Sequence, residues 1–214
     1  MTLRLHIFDR GDTFSAQHDE IRNAIGEAID FVEDRVKLDN VDVIAFSKEF
    51  GADPELWTMA ASPNTVLLGI DAAGASSDTL HSALKQTTIF HLHQCFRLRR
   101  VRTWSVGDAL IFEGLAPLAA TEAVGEPFRS RISKEAIRDA ANRIHDASDA
   151  HRKWLYAREK TAHGPAHTRA ALIGAALSRD AMERLGLDAW AAARLPTKYI
   201  LDSVLPSPTE EPKP

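Results

Sequence analysis

An α+β fold is predicted for this chain on three observations. Strand-like runs with a single helical stretch among them fill the N-terminal part, helical periodicity takes over from about Ser77, and strands and helices do not alternate as a parallel α/β sheet requires. The first run, LRLHIF, sets Leu3, Leu5 and Ile7 on one face and His6 and Phe8 on the other, the period of two expected of a strand. A turn follows at Arg10, Gly11 and Asp12. From Ser15, the apolar positions Ile21, Ala24, Ile25, Ala28, Ile29, Val32 and Val36 recur at helical spacing with charges opposite, predicting an amphipathic helix to about Lys37. NVDVIAFS reads as a second strand and NTVLLGID as a third, with LWTMAA between them as a short edge strand.

The small-residue connection from Gly69 to Ser77 leads into a helix that carries the pattern through Leu98. Ser105 and Asp108 stand at capping-box spacing, with Asp where Glu or Gln is usual, and predict the start of the next helix. Pro117 inside that helix lacks a backbone donor and crowds the carbonyl of Glu113, which predicts a kink or an early end. Everything after Ser133 reads as helices: 133–147, roughly 149–160, 168–185, and two short ones around Trp190 and Tyr199. The polar, proline-rich PSPTEEPKP predicts a disordered tail over 207–214, leaving 1–206 as a single domain.

Composition sets the outer bounds. With 214 residues, 44% of them hydrophobic, the chain is long enough to bury a core, and a net charge of -4 gives no general attraction to nucleic acid or anionic membrane. The single cysteine, Cys95, allows no intramolecular disulfide and fits a reducing compartment. MTLRLHIFDRGDTF lacks the parts of a signal peptide, and no apolar run approaches the length of a membrane span. A cytoplasmic location with no membrane partner and no nucleic-acid partner is therefore expected.

The chemistry-bearing residues concentrate in TTIFHLHQCFRLRR, residues 87–100. His91 and Cys95 are four apart and share a helical face, whereas His91 and His93 are two apart and point to nearly opposite sides, so a regular helix cannot bring both to one ion. The run RLRRVR is the densest basic segment, but it has no interleaved aromatics and reads as a solvated helix C-terminus. His163 and His167 flank a Gly-Pro turn in AHGPAH and read as residues of a surface loop. The four tryptophans are scattered, and Trp57 on the candidate edge strand is placed to line a peptide groove.

Taken together, LHIFD, LDNVDVIAF, NTVLLGID, the 87–100 helix, SVGDALIFEGLAPLAATEAVGEP and RAALIGAALSRDAMERLG resemble the DUF2268-type predicted zinc-dependent proteases, relatives of zincins, over most of the chain. DALIFEGLA is the most specific piece. The resemblance implies a minimal zincin-like domain, with a small N-terminal sheet and helix followed by a mainly helical part. In that family the motif helix carries His-Glu-x-x-His and a later arginine, and the next helix supplies a glutamate in EGLA. The two histidines and the later glutamate bind zinc, and the glutamate of the motif is general base toward the metal-bound water.

Aligned on Arg97, the first histidine position falls on Phe90, the general base on His91, the extra histidine on His93 and the second ligand position on Gln94, while Glu113 matches the third ligand. A phenyl ring cannot bind zinc and an amide carbonyl is a poor zinc ligand, so both histidine ligands and the base are replaced. The expectation is a degenerate metalloprotease-like protein with no cofactor, whose cleft takes a peptide or a small ligand. The alternative is a metal-dependent hydrolase with the substitute ligands His91, Cys95 and Glu113, which would need zinc. A metal-free His91–Glu113 pair doing acid–base work is a further expectation.

Overall fold

The computed structural model describes residues 3–9, 14, 16–47, 57–70, 76–100, 104–125, 128, 132–159 and 167–205. The fold is α+β, and the chain divides into two compact units, one formed by Met1–Arg99 with Ala119–Glu126, the other by Arg100–Leu118 with Pro127–Pro214.

The first unit is built on a four-stranded sheet. Its strands are β1 (Leu3–Phe8), β2 (Val41–Ser47), β3 (Trp57–Ser62) and β4 (Thr65–Ile70), in the order β1-β2-β4-β3. β1, β2 and β4 run parallel, and β3, the segment expected at an edge, returns antiparallel along β4. The alternation of each strand sends Val41, Val43, Ala45, Val66, Leu68 and Ile70 to one face, where all are fully buried. The helices α1 (His18–Glu33) and α2 (Ser77–Leu98) pack against each other and on the sheet, α1 touching β1 and α2 touching β3 and β4.

Two polar joints fix these helices. His81 of α2 lies between two carboxylates of α1, with Nδ1 on Glu20 and Nε2 on Glu27 at 3.3 Å, while Lys85 donates to Glu27 at 2.7 Å and Ser77 to Glu20 at 2.8 Å. At the far end of α2, Arg99 donates to the carbonyl oxygens of Asp39 and Pro63 and to the side-chain oxygen of Asn64. Arg97 is buried and also engaged. Two arginines of the basic run therefore serve the fold; Arg102 lies outside the described residues.

The second unit takes in the first thirteen residues of α3 (Val106–Val124). The capping box forms as the spacing predicts: Ser105 N and Oγ donate to Asp108 Oδ2 at 3.0 and 2.8 Å, and Asp108 N donates to Ser105 Oγ at 3.0 Å. Pro117 does not end the helix, which continues to Val124. From Ala109 to Leu118 every residue except Glu113 is buried, and that packing outweighs the roughly 3 kcal/mol a mid-helix proline costs.

Beyond Ser133 the chain is less helical than its periodicity predicts. α4 (Lys134–Ala141) stops early, and the carbonyls of Ile144 and Asp146 accept from Gly107 N and Val106 N, the free donors at the start of α3. Ser148 N completes this link by donating to Trp104 O at 3.0 Å. A 3₁₀ turn over Ser148–His151 leads to the short α5 (Arg152–Leu155), and β5 (Arg158–Glu159) pairs antiparallel with β6 (His167–Thr168) where helix was expected. Then come α6 (Arg169–Leu185), α7 (Ala189–Ala192) and α8 (Thr197–Asp202). Thr168 caps α6 through Ala171 N, and Gly186 ends it at φ 65, the left-handed conformation of a C-cap glycine. The 207–214 tail and His163 lie outside the described residues.

Candidate functional site

α2 is buried nearly all round from Thr88 to Arg97, which sets it apart from an ordinary amphipathic surface helix. Its polar residues must find partners inside the protein. The His91 ring donates from Nδ1 to Gln94 Oε1 at 2.8 Å; because a carbonyl only accepts, this bond fixes the imidazole proton on Nδ1. Phe90 stands edge-on to the same ring, 5.0 Å between centroids at 83°. Burial pushes the His91 pKa down to about 4, against a smaller opposing pull from Gln94, so the ring is neutral at physiological pH. His93, the neighbour two residues on, is buried as well.

Cys95 points its Sγ to the β3–β4 turn, donating to Ser62 O at 3.2 Å with Thr65 O at 3.9 Å. Burial pushes the thiol up to about 12, and the cation of Arg99 offsets only part of that. A thiol in this state is neither a nucleophile nor a ready metal ligand. The first unit thus sets Phe90 and Gln94 each against His91 and sends Cys95 to the hairpin.

Glu113 belongs to the second unit. It is half-buried on α3, and burial pushes its carboxyl up to about 7, with no hydrogen bond or charge pulling it back among the described residues. Tyr156 lies within its electrostatic reach: burial first, and then the charge of Glu113, raise the Tyr156 phenol.

Tyr156 also lines a cleft of about 450 Å³ together with Trp104, Ser148, Asp149 and Arg152. The cleft is framed by the link between the start of α3 and residues 144–148 described above. Trp104 rests edge-on against Phe112, the residue before Glu113, at 5.0 Å and 80°. Nearby, Arg143 holds Asp139 and His151, and lies over the Trp154 ring at 5.6 Å, while His151 reaches Asp146 at 2.8 Å. This network stiffens the loop that carries the cleft walls. Sequence reasoning missed the cleft, since four of its residues are spaced without a motif between Ser148 and Tyr156 and the fifth, Trp104, is brought to them only by the fold.

Among the described residues no group of three or more His, Cys, Asp or Glu side chains is arranged to hold one metal ion. No helix among them is long and apolar enough to cross a membrane. His167 pairs through its backbone with Glu159 in the β5–β6 ladder, and Trp57 pairs with Gly69 along β3. Compared with protein-family models, with curated proteins and with solved structures, the chain matches none.

Proposed function

We propose that this chain is a metalloprotease-like protein without conventional zinc peptidase chemistry, and that it binds a peptide or small ligand. The observation that carries the reading is the His91–Gln94 pair. By resemblance His91 stands where a general base belongs, yet with a pKa of about 4 it holds a proton too weakly for that work near neutral pH. Gln94, at a lost ligand position, spends its carbonyl on that ring. Cys95, the substitute sulfur donor, is a neutral thiol turned to the β3–β4 hairpin. Zinc does not fit this donor set, and no step is assigned to it.

The cleft of the second unit supports the binding half of the proposal. Its volume suits a small molecule, two exposed aromatic rings give apolar area, and Asp149 and Arg152 supply one charge of each sign. A ligand with an amine and a carboxylate around a short apolar body, as at the ends of a peptide, matches that lining. The test is metal analysis and peptide hydrolysis by untagged protein, with calorimetric titration of short peptides against wild type and Trp104→Ala. Metal-free, non-hydrolytic protein whose peptide affinity drops at least tenfold in the variant is expected. Stoichiometric zinc with peptide cleavage would overturn the reading.

A further inference from the structure

The polar side chains around the cleft of the second unit are left without protein partners. Trp104, Ser148, Asp149, Arg152 and Tyr156 make no side-chain hydrogen bond or ion pair among the described residues. The charges just behind them do the reverse: Arg143 holds Asp139 at 2.8 Å, and His151 holds Asp146 at 2.8 Å. Asp149 and Arg152 stand three apart along a helical turn, a spacing at which opposite charges can meet, and still form no ion pair with each other.

The lining also has a chemical sign. The Ser148 hydroxyl, the Arg152 guanidinium, the Tyr156 phenol and the Trp104 indole N–H all donate, whereas Asp149 is the one residue of the five that only accepts. Burial, and then the charge of Glu113, raise the Tyr156 phenol, so it keeps its proton and remains a donor. Of the two charged residues in the lining, Arg152 acts on that phenol more strongly than Asp149 does; Glu113 stands outside the lining.

We infer that the cleft recognises the free carboxylate of an apolar residue, as at the C-terminus of a peptide, with the Arg152 guanidinium as its counter-ion. This rests on the reading of the cleft as a binding site and adds which group of the ligand decides affinity. A guanidinium fork matches both oxygens of a carboxylate, and the hydroxyls of Ser148 and Tyr156 are further donors in the same cleft. The exposed rings of Trp104 and Tyr156 cover the apolar body. A ligand amine, with three donors and no acceptor, finds only the Asp149 carboxylate as its charged partner. Asp149 has a second effect. It already balances the charge of Arg152, so a phosphate dianion brings two uncompensated charges where a carboxylate brings one, and the cleft selects the monoanion.

Calorimetric titration of the full chain with a tripeptide ending in phenylalanine, as free acid and as C-terminal amide, tests this. Wild type binds the free acid about fivefold more tightly than the amide, the order that a partly solvated Arg–carboxylate contact supplies. In Arg152→Gln that advantage falls below about twofold while the amide binds as before. In Asp149→Asn the free acid binds at least as well as to wild type, and inorganic phosphate, no competitor for wild type, begins to compete. Both side chains are exposed, so both variants keep the wild-type melting temperature. N-acetylphenylalanine separates the sources of the carboxylate: affinity equal to that of the tripeptide supports recognition of a free organic acid, and weaker affinity supports a peptide terminus. An amide that binds as tightly as the free acid, an advantage that survives in Arg152→Gln, or phosphate that displaces the peptide from wild type would overturn the inference and leave the cleft a binding site. If neither form binds, or neither is weakened by Trp104→Ala, the binding reading of the cleft falls and the inference falls with it.

Discussion

Gly114 and Gly174 let the backbones of α3 and α6 meet directly. A Cβ on Gly114 would lie 2.0 Å from the carbonyl carbon of Gly174, and one on Gly174 would lie 1.8 Å from the carbonyl oxygen of Leu110. Neither obstacle is a flexible side chain, so the helices themselves must separate to admit a methyl group. Gly174→Ala is expected to cost about 3 kcal/mol or more, and Gly114→Ala a comparable amount. Gly26 is the control: nothing lies within 4 Å of its Cβ position in the interior of α1, so Gly26→Ala should stabilise by about 0.5–1 kcal/mol through helix propensity. Urea denaturation of the three variants checks both signs.

His91 should make the protein sensitive to acid. Its pKa is about 4 when folded and near the ordinary 6.5 when unfolded, so between these values the unfolded chain takes up a proton that the folded one refuses. The stability is complete above pH 6.5 and declines as pH falls toward 4, at up to about 1.4 kcal/mol per pH unit. His91→Gln lacks the titrating ring. The difference in unfolding free energy between wild type and this variant should therefore change through that window and be flat above it. A difference independent of pH would mean that the ring is not buried neutral.

The parts of the fold written locally were legible in the sequence, and the parts written in long-range contacts were not. The strand alternation at Val41–Ala45, the start of α2 at Ser77 and the Ser105–Asp108 box all depend on neighbours within a few residues, and they form as read. Pro117 does not end α3 early because its local penalty is opposed by the burial around it, a tertiary quantity. The Gly114–Gly174 contact joins segments sixty residues apart, so EGLA showed a glutamate and concealed the purpose of its glycine. At the site, spacing placed His91 and Gln94 on one helix but could not say that they would bond to each other, nor that Cys95 would turn to the β3–β4 hairpin.

The joint between α1 and α2 should respond to pH from both sides. The hydrogen bonds of Ser77 and His81 lower the Glu20 carboxyl, and those of Lys85 and His81 lower Glu27; these contributions are present above the ordinary pKa of 4.5 and vanish as pH falls through the lowered values. His81 has the opposite sign. Burial works against its charged form, but the two carboxylates outweigh it and raise the pKa above 6.5, so its contribution is full below 6.5 and is lost as pH rises through the raised value. His81→Ala should therefore cost stability at pH 6 and lose most of that cost at pH 9. Melting temperatures of both proteins at the two pH values measure this directly.

Glu113 completes the set with a sign opposite to that of the other glutamates. Its carboxyl titrates at about 7 when folded and near 4.5 when unfolded, so the folded protein holds a proton that the unfolded chain releases. The wild type must then lose stability as pH rises from 4.5 to 7, at up to about 1.4 kcal/mol per pH unit, and level off above. Glu113→Gln keeps the shape and cannot ionise, so its margin over wild type should grow through the same interval and stay constant beyond it. Carbon-13 NMR of the Glu113 carboxyl locates the midpoint independently. A midpoint near 4.5, with no gain in the variant, would show a solvated carboxylate and overturn the prediction; a midpoint near 7 would establish that burial keeps the proton on this α3 carboxyl up to neutral pH.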